Sequence, residues 1–182
     1  MDKKKGGWHT KTCDVVYENP WISVSHREVL TPAGTEGVYG VVHFKNHAVG
    51  VIPIDAHGNT WLVKQTRYVF DESTWEIPEG GVPFNEDPLI GAKRELEEEV
   101  GLRAESWEKL TSLSLSNSVT DETATVFVAK DLYQGTQALE ETEDITLKQL
   151  PIEEAIAMAL DGRITDAISV AGLLNLALLM KK

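Results

Sequence analysis

With 182 residues, 42% apolar and 25% charged, the chain is long enough for one globular core, and a formal charge of −12 argues against nonspecific nucleic-acid binding, which draws on clustered Lys and Arg. The single Cys13 cannot form an intrachain disulfide, and the basic start Met1 to Gly7 leads into no apolar run, so a cytoplasmic protein is expected. The longest strongly apolar segment, Ala167 to Met180, is interrupted by Ser169, Gly172 and Asn175 and falls short of the ~20 residues of a membrane helix; a buried helix is expected, and no membrane partner.

In chain order, Lys3-Lys4-Lys5-Gly6-Gly7 reads as a solvated basic tail. Cys13–Glu18, Ile22–Leu30 and Val38–Phe44 read as strands, with Thr31-Pro32-Ala33-Gly34 as turn chemistry between the last two. Ala48–Ile54 is a nearly continuous apolar run, Asp55-Ala56-His57-Gly58-Asn59 breaks it, and Thr60–Thr66 resumes, which predicts a hairpin. That hairpin delivers Arg67 to a strand end, where a guanidinium can bond phosphate oxygens through two parallel donors or form a surface ion pair. In Trp75-Glu76-Ile77-Pro78-Glu79-Gly80-Gly81, the two glycines permit close approach of a ligand. Glu76 is a candidate for binding or for bracing the loop, and Trp75 is expected in the core.

A helix is expected from about Pro88 to Val100, with Asp87 as its cap, Pro88 at its first position and Gly101 in the left-handed conformation that ends it. At about 100° per residue, Leu89, Ala92, Leu96 and Val100 share an apolar arc, and Glu95, Glu98 and Glu99 fall on its rim with Arg94 beyond them. Like charges at roughly 5–6 Å destabilise a bare helix, so a cation is expected; hard divalent ions such as Mg²⁺ take carboxylate oxygens, and Glu95 and Glu99 suit that demand best. Arg94 can pair with Glu98 one turn on. Further along, Leu110–Leu115 and Thr125–Ala129 read as strands flanking the loop Ser116–Glu122, in which Ser118, Thr120 and Glu122 can hydrogen-bond a polar ligand or serve the turn itself. A second acidic run, Glu140-Glu141-Thr142-Glu143-Asp144, precedes a strand over Ile145–Leu150. One helix is expected from Pro151 to about Gly162 and another from about Thr165.

The spacing Gly80-x5-Glu86-x7-Arg94-Glu95-Leu96-x-Glu98-Glu99-x-Gly101-Leu102 resembles the complete signature of the Nudix hydrolases. The resemblance implies an α/β/α sandwich with a mixed sheet, a Nudix domain over 45–182 and a β-rich extension over 1–44. It implies hydrolysis of a nucleoside diphosphate linked to another moiety, with Mg²⁺ or Mn²⁺ held by Glu95, Glu99, Glu98 and the carbonyl of Glu79. The N-terminal strands resemble those that pair two subunits in nucleoside-diphosphate-sugar hydrolases of this family, which implies a homodimer. In such relatives a loop near the second acidic run carries a general base and a further metal ligand; aligning that pattern puts the base at Glu141 and the metal contact at Glu143, with Glu143 remaining open as the base, and Arg94 and Glu98 complete the catalytic set. Arg67, Glu76, Gly80, Gly81, Ser118 and Glu122 are the implied substrate contacts. Asn117 stands where ADP-ribose pyrophosphatases usually show the proline of a Ser-Pro-Gly segment, so ADP-ribose, ADP-glucose and GDP-mannose all remain open as substrates. Two alternatives are a Nudix hydrolase of dinucleotide polyphosphates, nucleoside triphosphates or coenzyme A, and a non-catalytic nucleotide-sugar-binding module.

Overall fold

The computed structural model describes residues 3–139 and 144–181. The chain divides into two compact units, Met1–Asn46 with Ser114–Thr123, and His47–Leu113 with Ala124–Lys182.

The first unit is built on strands β1 (Lys3–Lys5), β2 (Trp8–Thr10), β3 (Asp14–Glu18), β4 (Ile22–Leu30) and β5 (Glu36–Phe44). The order is β1-β2-β4-β3, with β5 also pairing β4 from Ile22↔Phe44 to Leu30↔Glu36. The connecting turn closes where the Gly34 N–H donates to the Thr31 carbonyl at 2.9 Å, with Gly34 at φ 83°. Residues 114–123 join this unit through a parallel bridge between Val42 and Thr120.

The second unit contains β6 (Asn46–Pro53), β7 (Asn59–Arg67), β8 (Glu72–Glu76), β9 (Glu79–Pro83), α1 (Pro88–Glu95), a π-helical turn (Leu96–Val100), β10 (Leu102–Ser114), β11 (Thr123–Gln134), β12 (Thr146–Pro151), α2 (Ile152–Leu160) and α3 (Ala167–Leu179). Its strands form two sheets, β10-β11-β6-β9 and β12-β7-β8. β6 and β11 run parallel, whereas β7 is antiparallel to both its neighbours, so the unit is a mixed α/β structure.

The apolar run of β6 is continuous because both of its faces are covered. Val49 and Val51 lie fully buried in a cluster with Ala92, Leu96, Val100 and Phe127, on the α1 side. The alternate positions face α3: a Cβ at Gly50 would stand 2.9 Å from Ile168 Cγ2, and one at Gly172 would stand 3.4 Å from Ile52 Cδ1 and 3.0 Å from Val126 Cγ1. Period-two alternation thus sends one set of β6 side chains to each helix layer, which makes the α/β/α sandwich. No helix among the described residues is long and apolar enough to cross a membrane.

The expected β6–β7 hairpin does not form. The turn is present, with Asp55 N–H donating to the Asn59 carbonyl at 3.0 Å and the Asp55 carboxylate accepting from the backbone of His57 and Asn59 at 2.8 Å each. Both edges of β6 are taken by β11 and β9, however, and both edges of β7 by β12 and β8. The turn therefore carries the chain between sheets. A strand buried on both faces reads the same whichever neighbours it takes, so the pattern of β6 held no information about pairing.

The expected helix over 88–100 is present, but it is α-helical only to Glu95. Asp87 accepts from the Leu89 N–H at 2.9 Å, Pro88 opens the first turn, and Gly101 closes the element at φ 73°. From Leu96 the turn widens, and the Gly101 N–H reaches the carbonyls of both Glu97 and Leu96. The last helix begins at Ala167 rather than Thr165, because Asp166 is its cap and accepts from the Ser169 N–H at 2.7 Å.

Close packing of α1 on β9 runs through Gly91, where a Cβ would meet Val82 Cγ2 at 2.1 Å. Gly91→Ala gains about 1 kcal/mol of helix propensity, but the stiff valine cannot clear the clash, and overpacking typically costs ~1–3 kcal/mol. The variant is expected to lower unfolding stability by up to about 2 kcal/mol in urea titration. An unchanged or higher midpoint would show that Val82 yields freely.

Candidate active site

The last residue of β7 begins the site. Arg67 donates through Nε to Glu76 Oε1 at 3.0 Å, through Nη2 to Glu76 Oε2, and through Nη2 to Glu79 Oε1 at 2.5 Å. Thr74 Oγ1 adds a donor to Glu76 Oε1. In the β7–β8 ladder Arg67 stands opposite Glu72 and Glu76 opposite Val63, at the two ends of the pairing, and the long Arg67 side chain spans that distance to reach Glu76. Asp166, at the start of α3, completes the group: carboxylate oxygens of Glu76, Glu79 and Asp166 all lie within 4.8 Å of one another. The start of α3 is held there by Ser169, which is fully buried and accepts from the Ile77 N–H at 2.9 Å.

The helix supplies the second bank of carboxylates. Glu95 and Glu99 are only 7% and 2% exposed. Glu99 Oε2 accepts from the backbone N–H of Glu79 at 3.0 Å, tying the helix to the strand that precedes the first glycine. Gly80 fits against the other carboxylate so closely that a Cβ there would lie 2.2–2.5 Å from the carboxyl atoms of Glu95. Arg94 spans the outer side: its Nη2 donates to the Gly81 carbonyl at 3.0 Å and lies 3.1 Å from Glu95 Oε1, while Nη1 stands 3.9 Å from Glu98 Oε2. Glu98 is more open, and with Arg94 it borders a cavity of about 630 Å³ that also takes in Lys93, Arg103, Trp107 and Tyr133.

Arg67, Glu76, Glu79, Gly80, Gly81, Arg94, Glu95, Glu98 and Glu99 are thus brought together within the second unit. Glu141 and Glu143 lie outside the described residues. Ser118 and Glu122 belong to the first unit, where the Ser118 carbonyl accepts from the Tyr39 hydroxyl at 2.5 Å and the Glu122 carbonyl accepts from the Leu115 N–H at 3.0 Å. Ser118 lines a cavity of about 300 Å³ in that unit with Trp8, Arg27, Tyr39 and His43. Trp75 is half-buried between the ammonium groups of Lys64 and Lys148, each 5.9 Å from its ring centre. Sequence reasoning missed Asp166. The cap preference of Asp marks it as a helix start, but no local signal says that this cap faces Glu76 and Glu79.

The electrostatics are those of an anionic pocket short of positive charge. Burial, reinforced by Asp166 and Glu76, pushes the Glu79 carboxyl well above the ordinary carboxylate range against the pull of Arg67. Burial alone would favour neutral Arg67, but its bond to Glu76 and the field of Glu79 raise its pKa and keep it charged. Glu79 Oε2 is buried and accepts no hydrogen bond from the described residues. An orphaned carboxylate oxygen beside buried acids, with a glycine that leaves room at Glu95, is a donor set that fits a divalent cation.

The Nudix domain model matches residues 45–171 of the chain. The chain belongs to the Nudix family. It is 32% identical over 171 residues to an ADP-ribose pyrophosphatase of Mycobacterium tuberculosis, covering 92% of this chain and 82% of the relative. It is 38% identical over 125 residues to a methanol dehydrogenase activator of Bacillus methanolicus, covering 68% of each. Among solved structures it superposes on an ADP compounds hydrolase with a TM-score of 0.87 at 22% identity, covering 98% of this chain and 97% of the other; at that identity the likeness establishes the Nudix fold.

The raised pKa of Glu79 sets a pH dependence. The folded state holds a proton that the unfolded chain releases above the reference value of 4.5, so this contribution to stability is fully present below that value and is lost as pH rises through the folded pKa. Glu79→Gln removes the ionisation. In chelator-treated protein its advantage over the unsubstituted protein in thermal melts is expected to widen as pH rises above 4.5. A pH-independent difference would refute the assignment.

Proposed function

We propose that this Nudix pyrophosphohydrolase uses Mg²⁺, with Mn²⁺ as a substitute, to cleave the diphosphate linkage of nucleoside diphosphate sugars of the ADP-ribose, ADP-glucose and GDP-mannose type. The products are a nucleoside monophosphate and a sugar phosphate, the 1-phosphate where the sugar is linked through its anomeric oxygen: water forms a bond to one phosphorus and the bridging oxygen leaves with the other. The observation that carries this reading is the junction of Glu79, Gly80, Glu95 and Glu99, where one backbone hydrogen bond of 3.0 Å and a cradle too tight for a Cβ bring the helix carboxylates beside the backbone before the first glycine. The Mycobacterium tuberculosis ADP-ribose pyrophosphatase supports the substrate class.

In this reading Glu95, Glu99, Glu98 and the Glu79 carbonyl hold the metal ions. Bound there, divalent ions neutralise phosphate oxygens and lower the pKa of water. Arg94 orients Glu95 and Glu98, and Arg67, partly open to solvent, offers its guanidinium to the diphosphate while Glu76 fixes its plane. Gly80 and Gly81 let substrate approach the backbone. Glu141 is assigned as the base that takes the water's proton and Glu143 as a further metal contact. A carboxylate near pH 4 is a weak base, so its gain of ~10²–10⁴-fold depends on placement. Ser118 and Glu122 are assigned to sugar hydroxyls, supported by the polar and aromatic lining of the cavity that Ser118 borders. A cytoplasmic homodimer is part of the same proposal, and the exposure of Val15, Val16, Tyr17, Trp21 and Val38 on the first unit supports a subunit contact there.

The test is a panel of nucleoside diphosphate sugars, dinucleotide polyphosphates, nucleoside triphosphates and coenzyme A, each with Mg²⁺ and Mn²⁺, scored for monophosphate release. Diphosphate sugars are expected to lead by at least tenfold in kcat/KM, and preference for a triphosphate would overturn the substrate class. Glu99→Gln is expected to reduce turnover by at least about 10²-fold, more than either loop glutamate, because it removes a metal ligand. Turnover within a few-fold of the unsubstituted enzyme would remove Glu99 from that role.

A further inference from the structure

The π-helical turn that carries Glu98 and Glu99 ends without enough donors of its own. A helix leaves its last carbonyls without intrahelical partners, and here the chain departs at Gly101 straight into β10. The Gly101 N–H serves Leu96 and Glu97. The carbonyls of Glu98, Glu99 and Gly101 are met from the end of β11 and the segment that follows it. The Ala138 N–H donates to the Glu98 carbonyl at 2.9 Å, the Gln137 side-chain amide donates through Nε2 to the Glu99 carbonyl at 2.7 Å, and the Gly101 carbonyl accepts from the Gly135 N–H at 2.9 Å and from Gln134 Nε2 at 3.0 Å. The Thr136 N–H reaches Glu97 Oε1 at 3.3 Å, and Arg103 holds the same oxygen at 2.7 Å. Gly101 also leaves room for this clasp, since a Cβ there would stand 3.2 Å from the Gln137 nitrogen.

We infer that Gln137 is a positioning residue for the hydrolytic reaction: its amide holds the Glu99 carbonyl and so fixes the π-helical turn from which Glu98 and Glu99 project. A π-helical turn is rare and leaves its final carbonyls to outside partners, so donors supplied to those carbonyls hold it in place. The Glu99 carbonyl receives a side-chain donor, and that donor is deleted by one substitution. Gln134 differs, because the carbonyl it serves keeps the Gly135 N–H. Gln137 and Ala138 also stand just before residues 140–143 in sequence, so the chain that clasps the carboxylate helix is the one that enters the second acidic run. The inference rests on the metal role proposed for Glu99.

The experiment compares Gln137→Leu, Gln137→Lys and Gln134→Leu with the unsubstituted protein. Amide hydrogen exchange over Leu96–Gly101, measured in chelator-treated protein, is expected to accelerate in Gln137→Leu and to recover in Gln137→Lys, which restores a donor. Mn²⁺ alone, titrated by calorimetry, is expected to bind Gln137→Leu about 3–10-fold more weakly, the loss typical of one neutral hydrogen bond. Turnover at subsaturating Mn²⁺ should fall by a similar factor with KM for the nucleotide unchanged. Gln134→Leu is expected to stay within twofold throughout. Exchange unchanged in Gln137→Leu would overturn the inference, as would a lowered melting temperature accompanied by unaltered Mn²⁺ affinity. Failure of the unsubstituted protein to bind Mn²⁺ would instead remove the metal reading of Glu99, and the exchange measurement would still decide whether Gln137 fixes the turn.

Discussion

Buried negative charge is the constraint on which the second unit depends. Glu76, Glu95 and Glu99 are almost wholly buried, Glu79 and Asp166 stand beside them, and among the described residues Arg67 and Arg94 bring positive charge to the cluster. Taking carboxylates out of water is expensive unless each is paired or hydrogen-bonded. The chain meets part of that cost with its own donors: Arg67 and Thr74 on Glu76, the Glu79 backbone on Glu99, Arg94 on Glu95. Glu79 Oε2 is left over, and its carboxyl is driven toward the protonated form. A fold that only needed stability would be better served by apolar residues at these positions. Retaining the acids is explained by a positively charged occupant.

The sandwich makes such a site possible by supplying rigid walls from four directions. β6 anchors both helix layers because its side chains alternate between them, and Gly50 on β6 with Gly172 on α3 lets that helix, which Asp166 caps, lie close against the strand. Ser169, one turn into α3, secures the Ile77 N–H, so the position of that helix is tied to the strand segment that leads to Glu79 and Gly80. On the opposite layer, Gly91 lets α1 sit directly on β9, and Gly80 receives the Glu95 carboxylate. Each glycine in this set marks a place where a layer had to approach within side-chain contact, and together they set the depth of the pocket.

Much of this was legible in the residues. The cap at Asp87, Pro88 and the left-handed Gly101 bounded the carboxylate helix correctly because capping is local chemistry. The crowding of Glu95, Glu98 and Glu99 followed from helical periodicity alone. What was not legible depends on partners distant in sequence. β6 and β7 were read as a hairpin because an apolar run with a turn after it gives no sign of which edges will be occupied. Asp166 carries the same cap signal as Asp87, yet only the packing of α3 on β6 makes it a member of the acidic cluster. The change from α to π geometry at Leu96 has no propensity signal in Leu-Glu-Glu-Glu-Val, and the carbonyls the turn leaves are met by donors from residues 135–138, distant in sequence.

That last point bears on how the helix does its work. An α-helix running to Val100 would satisfy its own carbonyls further along and would need less from outside. Widening the final turn shifts Glu98 and Glu99 relative to Glu95 and leaves carbonyls to be met by the Gly135–Ala138 segment, so the spacing of the carboxylates is set jointly by the helix and by a segment more than thirty residues away in sequence. The arrangement is less stable locally than a regular helix, but it is defined more narrowly, because the carbonyls and their donors match only when both segments are in place. For a site that must hold several like charges at fixed separations, definition of geometry matters more than local stability.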